Sequence, residues 1–390
     1  MKSFEKQLDL LYDEMVAMRR DFHQHPELSF HEVETPRKIA DQLKKLGIEV
    51  RQSVGGRGVV GYIRGNKPGK TVALRADFDA LPIQDEKNVP YRSNVPGVMH
   101  ACGHDAHTSI LLAIAKVLTH MKEELQGNVV LIHQFAEEIT PGGALPMIED
   151  GCLESVDAIF GTHVWTPLPV GTIGYRAGAF MAAADGFEIE IKGKGGHGAN
   201  PHETIDPIAL GTSIVQQLQQ IVSRRIDPLQ PAVLTVATFN AGQAFNIIPS
   251  SATITGTVRT FDPSVQEAIA QHMEQIIASA CSGAGADYTF TYKKGYPAVI
   301  NHPEETALLA KNSIELVGRD HTIEVNPNMG GEDFAYYLQK VPGTFFFTGA
   351  GNPEIGADYP HHHAMFDIDE KSMLIAAKVM LATALDYLQS

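Results

Sequence analysis

The chain has 390 residues, 44% hydrophobic and 20% charged, with 31 Lys plus Arg against 46 Asp plus Glu and a net charge of −15. This composition excludes a disordered chain or a small stapled scaffold, and the length predicts about two or three domains, each able to bury its own core. An acidic chain without a Lys/Arg cluster offers little to polyphosphate or an anionic bilayer, so neither nucleic acid nor a membrane surface is an expected partner.

The opening MKSFEKQLDLLYDEMVAMRR alternates charged and apolar residues at helical spacing and lacks the uninterrupted apolar region of a signal peptide. TVALRA (71–76) predicts a strand, His107 to Glu124 a helix, NVVLIHQF (128–135) a second strand and VDAIFGTHV (156–164) a third. That rhythm predicts an α/β domain with a mostly parallel sheet, whose ligands sit beyond the carboxyl ends of the strands. The longest apolar stretch, Ile110 to Leu118, is interrupted by Lys116 and falls short of the roughly 20 residues of a membrane span. Cys102, Cys152 and Cys281 are too few and too scattered for a disulfide framework, which predicts a reducing, cytoplasmic setting.

From about Gly186 the pattern changes to FEIEIKG (187–193), a helical stretch from Asp206 to Arg224, AVLTVATFNA (232–241), ATITGTVRT (252–260), a helix after Pro263 and YTFTYKK (288–294). This β-α-β-β-α-β order predicts a ferredoxin-like domain with one open sheet face. Parallel-sheet character resumes after Gly295, with a helix over Pro303 to Leu316, the apolar run TFFFTGA (344–350) and a last helix from Glu370. The expected organisation is a catalytic domain of residues 1–185 and 296–390, interrupted by a domain of residues 186–295.

Seventeen histidines are present, several beside cysteines or carboxylates at predicted strand ends. MHACGHDAH places His100, Cys102, His104, Asp105 and His107 within one short segment, and its thiolate and imidazoles are suitable donors for a divalent ion. Asp77 and Asp79 follow the first strand, as metal ligand, support for a ligand, or Asx-turn. Glu137 and Glu138 end the next strand. Side chains alternate across this extended backbone, so the neighbours point in different directions, one towards a metal and the other towards water on it. His163 follows the Val156 to Gly161 part of the third run, in GTHV, and His361, His362 and His363 follow the apolar run. Four clusters beyond different strands of one sheet predict a shared dinuclear metal centre.

The motifs HACGHD, AEE, GTH, GKGGH, FNIIP, GTVR, MGGEDF and the terminal H-x-x-x-F stand in an order that resembles the family-twenty metallopeptidases. The nearest subgroup holds hippurate hydrolases, N-acyl-amino-acid amidohydrolases and auxin-conjugate hydrolases. The resemblance runs from MRRDFH (18–23) and HPELSF to the final helix. It implies two divalent ions, Zn or Mn, held by Cys102, His104, Glu138, His163 and His362. His362 is chosen because it stands four residues before Phe366 and two after Pro360. The resemblance further implies Glu137 as general acid/base and Asp79 as its supporting aspartate, while Asp77 stands where other subgroups carry a metal-binding His. It also implies substrate contacts from His197, Asn246 and Arg259, a lid and dimerisation role for residues 186–295, and a homodimer. Phe135 departs from the Pro that relatives carry before AEE. The implied reaction is hydrolysis of N-acyl amino acids. A dipeptidase or small-peptide carboxypeptidase, a non-catalytic metal-dependent binding protein, and a cysteine hydrolase using Cys102 with His104 are the competing readings.

Overall fold

The structure is a computed structural model, and it describes residues 3–390. The chain divides into two units, one of residues 3–180, 300–327 and 333–390 and one of residues 181–299 and 328–332.

The first unit is built on an eight-stranded sheet. Its strand order is Glu49–Val54, Gly58–Arg64, Gln126–Gln134, Lys67–Asp77, Ala158–Pro169, Gly343–Gly351, Ile173–Tyr175 and Thr322–Glu324. The four central strands, from Gln126–Gln134 to Gly343–Gly351, run parallel. Helices cover both faces of a parallel sheet, so these strands are apolar runs rather than alternating ones; Val72, Ala73, Leu74, Leu131, Ile132, Ile159 and Phe160 are fully buried. The helix His104–His120 is buried over most of its circumference because it packs on the strand Lys67–Asp77 and beneath the helix Tyr12–Gln24. Its Lys116 escapes by donating to Glu14 at the surface. Among the described residues, no helix is long and apolar enough to cross a membrane.

The third parallel strand is longer than the sequence predicts. It continues through His163 to Pro169, because Gly343–Gly351 pairs with it in register as far as Trp165, sets Phe347 opposite His163, and after a shift of register meets it again at Pro169. His163 therefore sits inside a strand rather than after one. The opposite correction applies to Glu137 and Glu138. The strand stops at Gln134, and Ala136 has φ 51°, so this backbone is a left-handed kink and not an extended one.

The second unit is a four-stranded antiparallel sheet in the order Ala232–Ala241, Ser251–Thr260, Ala183–Lys192, Asp287–Tyr296. The helices Pro207–Arg224 and Pro263–Ala284 cover one face and bury Ile189, Ile191, Ile214, Leu218, Ile254, Ile269 and Ile277. This is the ferredoxin-like arrangement. Both helices begin with an Asp cap followed by Pro, Asp206 accepting from the Ile208 and Ala209 amides and Asp262 from the Ser264 amide. The unit starts before residue 186 because the strand opens at Ala183. It also takes in Asn328–Glu332, whose Asn328 and Gly330 carbonyls accept the Ala182 amide.

Candidate metal centre

The centre lies in the first unit, where Lys67–Asp77 and Gln126–Gln134 end and the helix His104–His120 begins. Cys102 Sγ is 3.3 Å from His163 Nε2. His104 Nε2 is 3.7 Å from one oxygen of Glu138, and His362 Nε2 is 3.3 Å from the other. Cys102, His104 and Glu138 each present a donor atom within 4.8 Å of the other two. The structure thus gathers Cys102, His104, Glu138, His163 and His362 from four separated stretches of chain. Glu137 is buried beside them, with Oε2 3.9 Å from His104 Nε2.

Two atoms test whether a cation fits. His104 Nε2 and Glu138 Oε1 are buried without a hydrogen-bond partner. Leaving such groups unsatisfied costs about 1–3 kcal/mol each, more when charged, and a cation between them removes that cost. Burial disfavours a charged His104, yet the carboxylates of Asp77, Asp79 and Glu138 outweigh it and lift the ring to about 10. The pocket therefore favours positive charge. Burial, followed by repulsion from Glu138 and Glu137, pushes the Cys102 thiol well above its ordinary range, so a thiolate there calls for a cation beside it.

The donors are held from behind. His104 Nδ1 donates to Asp79 at 3.0 Å, and Asp79 also accepts the Ser29 hydroxyl at 2.7 Å and the Glu138 amide at 3.0 Å. These bonds overcome burial and keep Asp79 below the usual carboxylate range. His163 Nδ1 donates to the Val164 carbonyl at 2.7 Å, which fixes its tautomer and leaves Nε2 as a lone pair towards Cys102. Burial, with His107 nearby, keeps that ring neutral.

Asp77 has a different part. It accepts from Arg75 Nη1 and from His107 Nδ1, both at 2.6 Å, while His107 Nε2 accepts the Val164 amide at 2.9 Å. Arg75 and His107 thereby tie Asp77 to the peptide that follows His163. Asp105 is likewise occupied, by Arg19 and His23, and His100 is a buried ring with neither nitrogen partnered.

The histidine triplet separates by backbone conformation. His362 adopts φ 65° with its amide donating to the Ala101 carbonyl, and this kink presents the ring to Glu138. His361 stacks on Trp165 at 4.6 Å, accepts the Thr166 amide at Nε2, and holds Nδ1 3.8 Å from Cys102 Sγ. A backbone amide only donates, so the neutral His361 carries its proton on Nδ1, facing the sulfur. His363 stacks on Tyr359 and accepts the Met365 amide.

In the second unit, His197 pairs with Ile247 in a two-residue ladder, and the adjacent Gly198 amide donates to the Asn246 carbonyl at 2.9 Å. His197 and Asn246, on two different segments, are therefore neighbours, and both are exposed. Arg259 lies half-buried on the strand Ser251–Thr260, donating to the Val258 carbonyl and the Thr257 hydroxyl. Reasoning from sequence did not find Ser29, Glu32, Arg75 or Trp165. HPELSF was a visible motif, but nothing in it marks Ser29 as the partner of Asp79.

The model of peptidase family M20/M25/M40 matches residues 73–386. YhaA of Bacillus subtilis (strain 168), named only as an amidohydrolase, is 55% identical over 388 residues, covering 100% of this chain and 98% of its own. The N-acyl-L-amino acid amidohydrolase of Geobacillus stearothermophilus is 43% identical over 350 residues, covering 90% and 95%. The crystal structure of Bacillus subtilis YXEP, described as a dinuclear metal binding peptidase, superposes with a TM-score of 0.84 at 37% identity, covering 98% of this chain and 99% of that one.

Proposed function

Because the chain belongs to peptidase family M20/M25/M40 and so to a group of hydrolytic enzymes, we propose that it cleaves the amide bond of N-acyl amino acids, releasing a carboxylic acid and a free amino acid. The observation that carries this reading is the buried pair of unpartnered atoms, His104 Nε2 and Glu138 Oε1, with the Glu137 carboxylate 3.9 Å from the same nitrogen. A donor set and a base converge there at one point.

Cys102, His104, Glu138, His163 and His362 are the residues we assign to two divalent ions. The thiolate suits Zn, and the imidazoles and carboxylate also accept Mn. When bound, such ions supply Lewis acidity towards a carbonyl and bring the acidity of water near neutrality. Glu137 takes the proton from the attacking water and delivers it to the departing amine. Asp79 orients His104 through Nδ1, and His163 is oriented by the Val164 carbonyl. His197 is assigned to the developing oxyanion, and Asn246 and Arg259 to the substrate, Arg259 through its carboxylate. We also infer a homodimer formed through the inserted domain. Its sheet ends in Ala232–Ala241 and Asp287–Tyr296, and an exposed strand edge is a pairing surface. Light scattering tests that state.

The decisive experiment combines elemental analysis with a panel of N-acetyl and N-benzoyl amino acids and dipeptides. Metal-replete protein is expected to cleave the acyl amino acids. Glu137→Gln is expected to bind both ions and lose about 10²–10⁴-fold in turnover; a variant near the wild-type rate removes Glu137 as the base. The description of YXEP as a peptidase favours a second reading, in which small peptides are the better substrates. A higher kcat/KM on the dipeptides in the same panel would select it.

A further inference from the structure

The segment from Glu27 to Thr35 supplies no donor to the proposed centre, yet it is fastened beneath it at several points. The Glu27 carbonyl accepts the Ala80 amide at 2.8 Å, and Leu28 bridges Ala80. Ser29 donates to Asp79. The Phe30 ring meets the edge of Phe135 at 5.8 Å. Glu32, fully buried, accepts the Ala136 amide at 2.9 Å. The Glu27 carboxylate closes the segment on itself by accepting the Val33, Glu34 and Thr35 amides at 2.8–3.0 Å.

Ala136 is where this strap acts. Its φ of 51° is disfavoured for any residue with a Cβ, so something must hold it. Glu32 holds the amide on one side, and the Gly143 amide holds the Ala136 carbonyl at 3.1 Å on the other. The next two residues are Glu137 and Glu138, and the kink is what brings both to within 4 Å of His104 Nε2, at 3.9 and 3.7 Å. Released from Glu32, Ala136 can relax towards negative φ and swing the Glu137 side chain away, while Glu138 stays tethered by its amide, which donates to Asp79 at 3.0 Å.

We infer that Glu32 is a positioning residue for the general base, holding Ala136 in the left-handed turn that aims Glu137. The inference rests on the reading of Glu137 given above. Burial, with the charge of Asp79 adding to it and Arg57 at 3.9 Å opposing it, pushes the Glu32 carboxyl up to about 8. Gln preserves its size and the oxygen that receives the Ala136 amide.

The test measures kcat, KM and bound metal for Glu32→Ala, Glu32→Asp and Glu32→Gln in the full, metal-replete chain. Glu32→Ala is expected to lose about 10–100-fold in kcat, the cost of misplacing a catalytic group by about an ångström, with KM within about twofold and metal content unchanged. Glu32→Gln is expected within about threefold of wild type, and Glu32→Asp between the two. Should Glu32→Ala fail to fold, the Asp and Gln variants carry the comparison. Wild-type kcat in Glu32→Ala, a loss that follows metal content, or Glu32→Gln as impaired as the Asp variant would each overturn the proposal. Failure of the parent reading looks different, since it shows as an active Glu137→Gln whatever Glu32 does.

Discussion

Two buried assemblies of histidines and carboxylates lie in the first unit and differ in how fully their polar atoms are hydrogen-bonded. Around Arg19, the guanidinium donates to Asp105 and Asp367 at 2.8 Å and to Glu370 at 3.2 Å. His23 donates to Asp105, Lys87 donates to the Phe366 carbonyl, and Tyr91 donates to Asp367. That cluster closes on itself, with His100 at its border the exception. The cluster of Cys102, His104, Glu138, His163 and His362 does not close, and leaves His104 Nε2 and Glu138 Oε1 facing each other at 3.7 Å with no hydrogen bond to either. Histidines and carboxylates are common to both, while the closed cluster adds Arg19, Lys87 and Tyr91 and the open one adds Cys102. Satisfaction is what separates a structural network from a place built for something else.

The largest effect that can break this contrast is removal of metal. Chelation, or His104→Ala, is expected to empty the open cluster and lower activity by about three orders of magnitude or more, since several kcal/mol of transition-state stabilisation are lost. Activity should return to the chelated wild type on adding Zn or Mn. Full activity under exhaustive chelation would instead favour Cys102 as a nucleophile. For the closed cluster the corresponding change is Arg19→Met, which strands Asp105 and Asp367 without their cation. Breaking one side of a buried ion pair costs about 3–5 kcal/mol, to be read from urea unfolding. At saturating metal, stoichiometry should stay at two ions per chain. A stable Arg19→Met that had lost metal would reverse the roles given to the two clusters.

Acid titration separates the clusters by a smaller amount. Burial tends to raise Asp85, but hydrogen bonds from His23 and from the Ser93 and Lys87 amides outweigh it and bring the carboxyl down to about 2, from the ordinary 3.8. A folded-state value below the unfolded one means the stabilisation is present above about pH 4 and disappears as the pH falls through about 2. Asp85→Asn should therefore lower stability at neutral pH by about 2 kcal/mol and flatten the dependence between pH 4 and 2. Denaturant midpoints over that range measure it. An unchanged acid limb would show that Asp85 is not charged in the closed cluster.

Much of the architecture was legible because its signals are local. The β-α-β-β-α-β order of the inserted domain follows from alternation and from Asp-Pro helix starts, and the central strands from apolar runs. The five residues proposed as donors, which the structure brings together, were readable as residue types near predicted strand ends together with a family resemblance. What could not be read depends on contacts between distant residues. The partner of Asp79 is Ser29, fifty positions earlier, and Arg19 reaches Asp367 across 348 positions. The kink at Ala136 was hidden because alanine is an unusual choice for a left-handed position, so an extended strand end was the natural expectation. His163 moved from a strand end into a strand because the pairing with Gly343–Gly351 comes from the far end of the chain.

His104 and His107 sharpen the contrast within a single helical turn. They share a motif, and their rings lie 5.4 Å apart. His104 keeps Nε2 unpaired, whereas His107 places one nitrogen on Asp77 and the other on the Val164 amide. Both nitrogens of His107 are thus engaged by the protein, so it acts on the centre only by fixing the backbone next to His163. Loss of such a supporting bond typically costs about 10–100-fold in metal affinity, without removing the site. His107→Gln is accordingly expected to keep two ions at saturation and to release them about tenfold more readily to a competing chelator. His104→Ala should not recover full occupancy at any practical concentration. Equal losses in the two variants would mean that the neighbouring imidazoles act alike, and hydrogen-bond satisfaction would then no longer tell them apart.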